Sequence, residues 1–239
     1  MSRSWGRGAL LIMSVKKIRV GVLFGGRSGE HEVSIVSATS IMNALDPAKY
    51  EIIPIGITKT GQWIAGKDAL PALKNEIRLP AKYSVLTPDP EESGLVAISR
   101  LEEKADSALA IREPIDVMIP VLHGTYGEDG CFQGLAELSG IPYVGPGVLG
   151  SAVCMDKVVQ KQVCLQAGIP AVDYLWFHVE LTGSGNHGDI RVAGNVSLGE
   201  HHLAGLTLRE VASRAANTLG LPLFVKPANS GSSVAWVCT

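Results

Sequence analysis

The sequence has few cysteines, no long apolar run and no excess of charge of either sign. Its four cysteines form no C-x-x-C pair and no Cys/His spacing typical of metal ligands, which argues against a zinc site or a disulfide framework and favours thiols in a reducing compartment. No stretch approaches the roughly 18 apolar residues of a membrane span. With 21 basic and 23 acidic residues the net charge is −2, so nothing favours binding to nucleic acid or to an anionic membrane. We therefore expect a cytoplasmic protein that binds neither.

The organising feature of the sequence is a strand, a glycine turn and a helix near the N-terminus. Residues 18–24 form an apolar, β-branched run that is typical of a buried strand. Gly25 and Gly26 end this run, and a rough helical stripe of apolar residues follows over about 30–45. This order places unpaired backbone N–H groups and the positive end of a helix dipole at the carboxyl end of a strand, where α/β proteins bind anions and other ligands.

The same turn carries a charged set that a turn does not need, namely Arg27, Glu30, His31 and Glu32. A plain loop with solvated charges remains the alternative interpretation, because a short glycine motif is weak evidence by itself. The stretch GGRSGEHEVS does not match G-x-G-x-x-G, so no dinucleotide fingerprint is present.

A second strand also delivers polar residues to a glycine-rich turn. The apolar run over 115–122 predicts a buried strand, which leads into His123 and the stretch GTYGEDG. We predict a helix over about 128–138, with Glu128 and Asp129 in a first turn where they suit the helix dipole. A helix start with favourable charges beside an ordinary turn histidine is the alternative.

A third motif lies near the end of the chain. The apolar residues over 221–225 predict a strand, and Lys226 then introduces the small, polar stretch PANSGSSV. Glycine and serine let backbone N–H groups approach phosphate oxygens, and a lysine adds a positive charge. We also predict one continuous helix over 150–167 that contains Lys157. A solvated lysine and a polar turn are the ordinary alternatives for these two features.

The remaining segments predict further elements of an α/β fold. They are a strand at 50–57 in which Pro54 indicates an edge or irregular position, a short strand at 141–147, a strand at 172–177, and a helix at 207–219 capped by Thr207 and Glu210 and ended by Gly220. The stretch 183–205 is predicted to be a flexible loop. Its histidines, His187, His201 and His202, have no acidic or cysteine partner at ligand spacing, so we do not assign a metal site there.

Three motifs together resemble, in order, the signatures of the D-alanine–D-alanine ligases of the ATP-grasp family. They are GGRSGEHEVS at 25–34, LHGTYGEDG at 122–130 and KPANSGSSV at 226–234. The resemblance implies an α/β fold: an N-terminal parallel-sheet domain of pre-ATP-grasp, Rossmann-like type, followed by an incomplete α+β ATP-grasp central domain. We accordingly expect a disordered leader at 1–16, a substrate domain at 17–145 and a partial ATP-grasp domain at 146–239, with Met13 as an alternative start of the chain.

The resemblance also implies a reaction and roles for particular residues. The family joins two D-alanines with ATP, through an acyl phosphate, to make peptidoglycan precursors. Glu30 would hold the ammonium group of the first D-alanine, His123 would assist at the reacting centre, and Ser232 would support the hydrogen-bond network of Glu30. On the nucleotide side, Lys157 and Lys226 would hold phosphates and Ser233 would belong to the loop that closes over them.

The resemblance extends from about 17 to 234, so part of the family's machinery is not matched. Mg²⁺ is implied by the family, but its ligands are expected in a C-terminal part, so no metal ligand is assigned here. We expect a truncated chain or fragment with little or no turnover, and a homodimer through the N-terminal domain. The alternatives are a non-catalytic fragment that binds D-alanine or dimerises, and another ATP-grasp carboxylate–amine ligase, against which LHGTYGEDG argues.

Overall fold

The computed structural model describes residues 16–75, 82–91, 94–99, 111–182, 189–193, 206–231 and 236–238. The predicted leader lies outside these residues except for its last position. Ser232, Ser233 and the three histidines His187, His201 and His202 also lie outside them. The chain divides into two compact units, the first within Met1–Gly127 and Cys131–Pro146, the second within Glu128–Gly130 and Gly147–Thr239.

The first unit is a seven-stranded sheet with helices. Its elements are β1 (Ile18–Gly25), α1 (His31–Ala44), β2 (Tyr50–Ile57), β3 (Trp63–Ala65), α2 (Ala69–Asn75), β4 (Lys82–Leu86), β5 (Leu95–Ser99), β6 (Ile111–Glu113), β7 (Val117–Pro120) and α3 (Cys131–Leu138). The strand order is β6-β5-β4-β3-β2-β1-β7. The α/β class predicted from the sequence is confirmed.

The sheet is mixed rather than parallel throughout. β1 pairs in parallel with β2 on one side and with β7 on the other, whereas β3 to β6 extend the sheet by antiparallel pairing. Only residues 58–62 join β2 to β3, and so short a connection cannot form the crossover that parallel strands require. The predicted parallel arrangement therefore applies to the three strands β2, β1 and β7. Leu23 pairs with Pro120, so the loops that follow β1 and β7 leave the sheet at the same edge.

Both faces of β1 are buried, as its apolar run predicts. Val20, Val22 and Phe24 pack on the face covered by α1 and α2, and Leu23 packs on the opposite face with residues of α3. Successive side chains of a strand point to opposite faces, so an uninterrupted apolar run fits a strand with helices on both sides. This strand is the centre of the core, and its carboxyl end leads directly into the first motif.

Pro54 does not mark an edge, because β2 lies between β1 and β3. The predicted edge position of this strand is therefore wrong. The carbonyl oxygen of Pro54 accepts a hydrogen bond of 2.9 Å from the amide of Gly66, one residue beyond the end of β3. The missing N–H of the proline thus falls where the neighbouring strand has already ended, which is how an interior strand tolerates it.

Helix α3 begins at Cys131 and not at 128, so Glu128 and Asp129 precede the helix. The reason is Gly130, whose φ of 94° lies in the left-handed region and cannot continue an α-helix. At 141–147 the structure has a single bridge, between Met118 and Tyr143, in place of the predicted short strand.

The second unit contains α4 (Val148–Met155), α5 (Lys157–Gln166), β8 (His178–Thr182), β9 (Asp189–Ala193), α6 (Leu208–Leu219), β10 (Leu223–Val225) and β11 (Trp236–Cys238). β8 pairs with β9 and β10 with β11, both antiparallel. β9 lies within the stretch predicted as a flexible loop, so that prediction is wrong over 189–193. The capping box of α6 is confirmed: Thr207 accepts a hydrogen bond from the amide of Glu210, and the Glu210 carboxylate accepts one from the amide of Thr207.

Two further predictions for the second unit are wrong. The helix predicted over 150–167 is two helices, α4 and α5, which Asp156 separates. The strand predicted at 172–177 is irregular. Its apolar residues Leu175, Trp176 and Phe177 pack against Val211 of α6, so their hydrophobicity is used in contact with a helix and not in a sheet.

Candidate functional site

The loop that joins β1 to α1 (residues 26–30), called the first loop below, follows a turn at Gly25 that only glycine can form. Gly25 has a φ of 88°, and a Cβ atom there would lie 2.3 Å from the carbonyl oxygen of Ile57. The amide of the next residue, Gly26, donates a hydrogen bond of 2.8 Å to that same oxygen. The chain therefore turns away from β1 while its backbone still contacts the end of β2.

His31 supports this turn from the first residue of α1. Its side chain is buried, and its Nδ1 donates a hydrogen bond of 2.7 Å to the carbonyl oxygen of Gly26. Because a carbonyl can only accept, the proton must be on Nδ1. Of the two motif histidines, His31 and His123, it is therefore His31 that stabilises the turn.

Ser34, also buried on α1, joins the ends of two strands. Its hydroxyl accepts a hydrogen bond of 2.8 Å from the amide of Gly25 and donates one to the carbonyl oxygen of Val121. These two residues lie at the carboxyl ends of β1 and β7. The second loop is the segment that follows β7, residues 121–127. One side chain therefore holds together the starting points of the first and second loops. Sequence reasoning had no signal for this role.

Ser28 connects the two loops themselves. Its hydroxyl donates a hydrogen bond of 2.6 Å to the carbonyl oxygen of His123 and accepts one of 3.2 Å from the amide of Glu30. Both residues that the sequence analysis assigns to the D-alanine side therefore contact the same hydroxyl through their backbones. Sequence reasoning missed Ser28, although a serine just before a helix is a common signal for a hydroxyl that binds backbone amides.

The carboxylate of Glu30 lies against the backbone of the second loop. Gly124 has a φ of 74°, and a Cβ atom there would be 3.1 Å from Oε2 of Glu30 and 3.2 Å from Cβ of Ser28. A glycine is therefore needed both for the backbone conformation and for the close approach. The imidazole of His123, the residue before Gly124, contacts α1, with Nε2 3.4 Å from Oγ of Ser37.

The nearby Glu32 has a different environment. Its carboxylate is exposed and forms an ion pair of 2.5 Å with the ammonium of Lys59 in the turn between β2 and β3. The hydrogen bond from Lys59 is the main cause that lowers the pKa of Glu32. Two glutamates that are two residues apart are thus separated in role: Glu32 pairs with a lysine, and Glu30 faces the second loop.

A cation–π contact also joins the two loops. The guanidinium carbon of Arg27 lies 4.6 Å from the centroid of the Tyr126 ring. Tyr126 has a φ of 66°, which is unusual for a residue with a side chain. Sequence reasoning singled out Arg27 only as part of a charged set and gave Tyr126 no role.

In the second unit, the structure brings Lys157 to the third motif. Asp156 has an extended backbone and accepts hydrogen bonds from the amides of Val158 and Val159, so α5 begins at Lys157. The backbone N–H of Lys157 donates a hydrogen bond of 3.1 Å to the carbonyl oxygen of Ala228. Its Nζ donates a hydrogen bond of 2.6 Å to the carbonyl oxygen of Ser230. Lys157 is thus held by the loop that follows Lys226, whose own side chain is exposed.

The structure therefore groups the assigned residues in two sets. In the first unit, Glu30 contacts the second loop, which contains His123. In the second unit, Lys157 contacts the loop after Lys226. Among the residues that the structure describes, no three His, Cys, Asp or Glu side chains are grouped closely enough to hold a metal ion. None of the helices within the described ranges combines the length and the apolar character needed to cross a bilayer.

The chain is similar to known proteins over nearly all of its length. The family model for the D-ala D-ala ligase N-terminus matches residues 19–146. A D-alanine–D-alanine ligase of Natranaerobius thermophilus is 42% identical over 221 residues, which are 92% of this chain and 52% of that protein. One from Rhodococcus opacus is 44% identical over 229 residues, covering 93% and 54%. The chain thus spans about half the length of the curated relatives it matches.

Solved structures agree with this match. The VanG D-Ala:D-Ser ligase of Enterococcus faecalis has a TM-score of 0.63 and 31% identity, over 91% of this chain and 54% of that one. The D-alanine–D-alanine ligase of Coxiella burnetii has a TM-score of 0.62 and 32% identity, over 92% and 55%. Since the family model covers more than half of the chain and contains both loops of the first unit, the chain belongs to the D-alanine–D-alanine ligase family, whose N-terminal part it carries at residues 19–146.

Proposed function

We propose that this chain forms the D-alanine side and part of the ATP side of a ligase that joins two D-alanines for peptidoglycan synthesis. One observation carries the proposal: the carboxylate of Glu30 lies against Gly124, beside His123, with the hydroxyl of Ser28 bonded to both loops. A carboxylate at this position suits an ammonium group, because charge-assisted hydrogen bonds are the strong ones. The environment of Glu32 supports assigning this task to Glu30, since Glu32 already has a lysine partner.

The proposed reaction has two steps. The carboxylate of the first D-alanine attacks the γ-phosphorus of ATP, which breaks the bond to ADP and forms an acyl phosphate. The amine of the second D-alanine then attacks the acyl carbon, the bond to phosphate breaks, and the amine loses a proton. Glu30 would orient the first substrate throughout, and His123 would donate a hydrogen bond to the negative charge that develops at the reacting carboxyl group.

The nucleotide side of the proposal rests on the loop after β10. Lys157 and Lys226 would supply positive charge to the phosphates, and Ser233 would contribute from the same loop; Ser232 would support Glu30. The contact between Lys157 and the carbonyl oxygen of Ser230 supports a shared position for the first lysine and the loop. Magnesium would neutralise phosphate charge in such a reaction. Among the described residues no three His, Cys, Asp or Glu side chains are grouped to hold a metal ion, so no residue of this chain is assigned to it.

Three further expectations belong to the same proposal. The enzyme would act in the cytoplasm and form a homodimer through its first unit, which light scattering of the purified chain tests. D-alanine and D-serine can be compared as the second substrate, since the solved relatives include, by name, both a D-alanine–D-alanine ligase and a D-Ala:D-Ser ligase. Phosphate release with ATP, magnesium and either amino acid measures that choice, and also checks the prediction that this chain turns over little or not at all.

The decisive test is D-alanine binding by calorimetry with the full chain and two matched variants. Glu30→Gln keeps the shape of the side chain and removes its charge, so we expect D-alanine affinity to fall by tenfold or more, as expected for loss of a hydrogen bond to a charged group worth about 1.5–3 kcal/mol. Glu32→Gln removes a nearby charge that pairs with Lys59 and should change affinity by less than about twofold. Equal effects of the two substitutions, or equal affinity for L-alanine and D-alanine, would contradict the proposal.

A further inference from the structure

Arg27 and Tyr126 occupy equivalent places in the two loops. Arg27 lies three residues before Glu30, and Tyr126 lies three residues after His123. Their separation of 4.6 Å between guanidinium carbon and ring centroid is within the range of about 6 Å in which a cation is attracted to an aromatic face. The contact is therefore a second link between the two loops, in addition to the hydrogen bond from Ser28 to His123.

The backbone of Tyr126 indicates that the second loop needs such support. Its φ of 66° lies in the left-handed region, which costs an L-residue with a side chain roughly 1–2 kcal/mol. Residues persist in this conformation only where their surroundings hold them. The Arg27 guanidinium over the ring is one such surrounding contact, and it acts on the residue that carries the unfavourable conformation.

A third segment limits the movement of Arg27. Gly61, in the turn between β2 and β3, has a φ of 90°, and a Cβ atom there would lie 3.0 Å from Cδ of Arg27. The same turn is held to α1 by the ion pair between Lys59 and Glu32. The stem of Arg27 is thus packed against a turn that is itself attached to the helix following the first loop.

We infer that Arg27 and Tyr126 are positioning residues, whose stacking holds the loop of Glu30 and the loop of His123 at the separation that D-alanine binding requires. This inference rests on the proposed function. Neither residue needs to touch the substrate. The aromatic ring and the cation carry the effect, which predicts that a ring without the hydroxyl is sufficient at position 126.

The test compares D-alanine affinity across a set of substitutions in the full chain. Tyr126→Leu and Arg27→Met each remove the stack and should weaken binding by about two- to fivefold, as expected for a cation–π contact at an exposed site. The double variant should bind no more weakly than either single one, because both remove the same contact. Tyr126→Phe keeps the ring and should retain wild-type affinity, which a role exerted through the phenol hydroxyl would not predict.

The chain provides a matched control in its second unit. There Lys161 lies 4.8 Å from the ring centroid of Tyr174, so Tyr174→Leu removes a similar contact from a place with no part in the inference. Its D-alanine affinity should stay at the wild-type value. Additive losses in the double variant, a loss for Tyr126→Phe as large as for Tyr126→Leu, or an equal loss for Tyr174→Leu would overturn the inference.

A ligand-free measurement separates this inference from the proposed function. In amide NMR spectra of the full chain, Arg27→Met should shift the signals of residues 123–127, and Tyr126→Leu should shift those of residues 27–30, with Tyr174→Leu shifting neither. If the unchanged chain fails to bind D-alanine, the proposed function is contradicted for this chain, and the inference is then decided by these signals. Reciprocal shifts support the coupling of the loops, and their absence overturns it.

Discussion

The hydroxyl of Ser28 donates a hydrogen bond of 2.6 Å to the carbonyl oxygen of His123 and so ties the first motif of the chain to the second. The same hydroxyl accepts from the amide of Glu30. Ser28→Ala removes both bonds, each worth about 0.5–1.5 kcal/mol net. We expect D-alanine affinity to fall by about three- to tenfold as the loops separate, measured by calorimetry.

The control for this prediction is Ser40→Ala. Ser40 is an exposed residue of α1 whose hydroxyl donates a hydrogen bond of 3.3 Å to the carbonyl oxygen of Val36 in the same helix. Its loss should leave D-alanine affinity unchanged. The role assigned to Ser28 would be wrong if the two alanine variants bound D-alanine equally well.

Gly25 and Gly29 are close in the chain, but we expect substitution by alanine to lower the free energy of unfolding much more at Gly25 than at Gly29. An alanine at Gly25 would combine a φ of 88° with a Cβ atom 2.3 Å from a backbone oxygen, whereas a Cβ atom at Gly29 would meet nothing within 4 Å. We expect Gly25→Ala to lower the free energy of unfolding by more than about 2 kcal/mol, since it adds a backbone clash to the cost of the left-handed conformation. Gly29→Ala should change it by less than about 0.5 kcal/mol. Urea unfolding of both variants measures this difference, and similar midpoints would contradict the close approach at Gly25.

The ion pair between Arg19 and Asp116 predicts a loss of stability in acid. Two guanidinium nitrogens of Arg19 lie 2.7 and 3.1 Å from the carboxylate of Asp116, and its backbone amide also donates to that group. These hydrogen bonds lower the pKa of Asp116 to about 2. Because the folded pKa is below the unfolded value of 3.8, the stabilisation is complete above pH 4 and is lost as the pH falls from 4 towards 2.

We expect this loss to be about 1 kcal/mol, because partial exposure of both side chains screens the pair. Urea unfolding at pH 6, 4 and 2.5 measures it as the stability of the wild type minus that of Asp116→Asn. The difference should shrink only in the most acidic sample. Asp46→Asn removes an exposed partner 3.8 Å from Lys49 and serves as the control. A wild-type advantage that is unchanged at pH 2.5 would contradict the prediction.

The break between α4 and α5 predicts that Asp156 stabilises the position of Lys157. Its side chain accepts hydrogen bonds of 2.9 and 3.0 Å from the amides of Val158 and Val159. Replacing an N-cap residue by alanine costs about 0.5–2 kcal/mol, so Asp156→Ala should lower the free energy of unfolding by that amount and weaken ATP binding. Asp156→Asn retains a capping oxygen and should have a smaller effect on both. Identical stabilities of the two variants would exclude a capping role.

The elements that the sequence predicts best are those whose local pattern and tertiary environment agree. β2 is found at the predicted Tyr50–Ile57, and the capping box of Thr207 and Glu210 is present. The irregular segment over 172–177 shows why other elements are missed. Its apolar pattern suits both a strand and packing against a helix, and the position of α6 decides between them.

The site shows the same division. The resemblance of the motifs to the ligase signatures identifies Glu30, His123, Lys157 and Lys226 as candidates, whereas the local pattern alone leaves an ordinary structural alternative for each. The contacts that Ser28 and Ser34 make with the second loop could not be recognised in this way, since their partners, His123 and Val121, are 95 and 87 positions away. The break between α4 and α5 has a signal in the sequence, because aspartate is a preferred N-cap residue. The apolar residues on both sides of Asp156 nevertheless favour one continuous helix.

The buried hydroxyl of Ser34 has a consequence for how this region can move. It belongs to α1 and is bonded to the ends of both β1 and β7, so a shift of the helix would displace both attachment points in the same direction. If the two loops separate to admit a substrate, they would then bend further along their length, while Gly25 and Val121 keep their distance from each other. Adaptation to a larger amino acid would accordingly be expected at the loop tips and not at the ends of the strands.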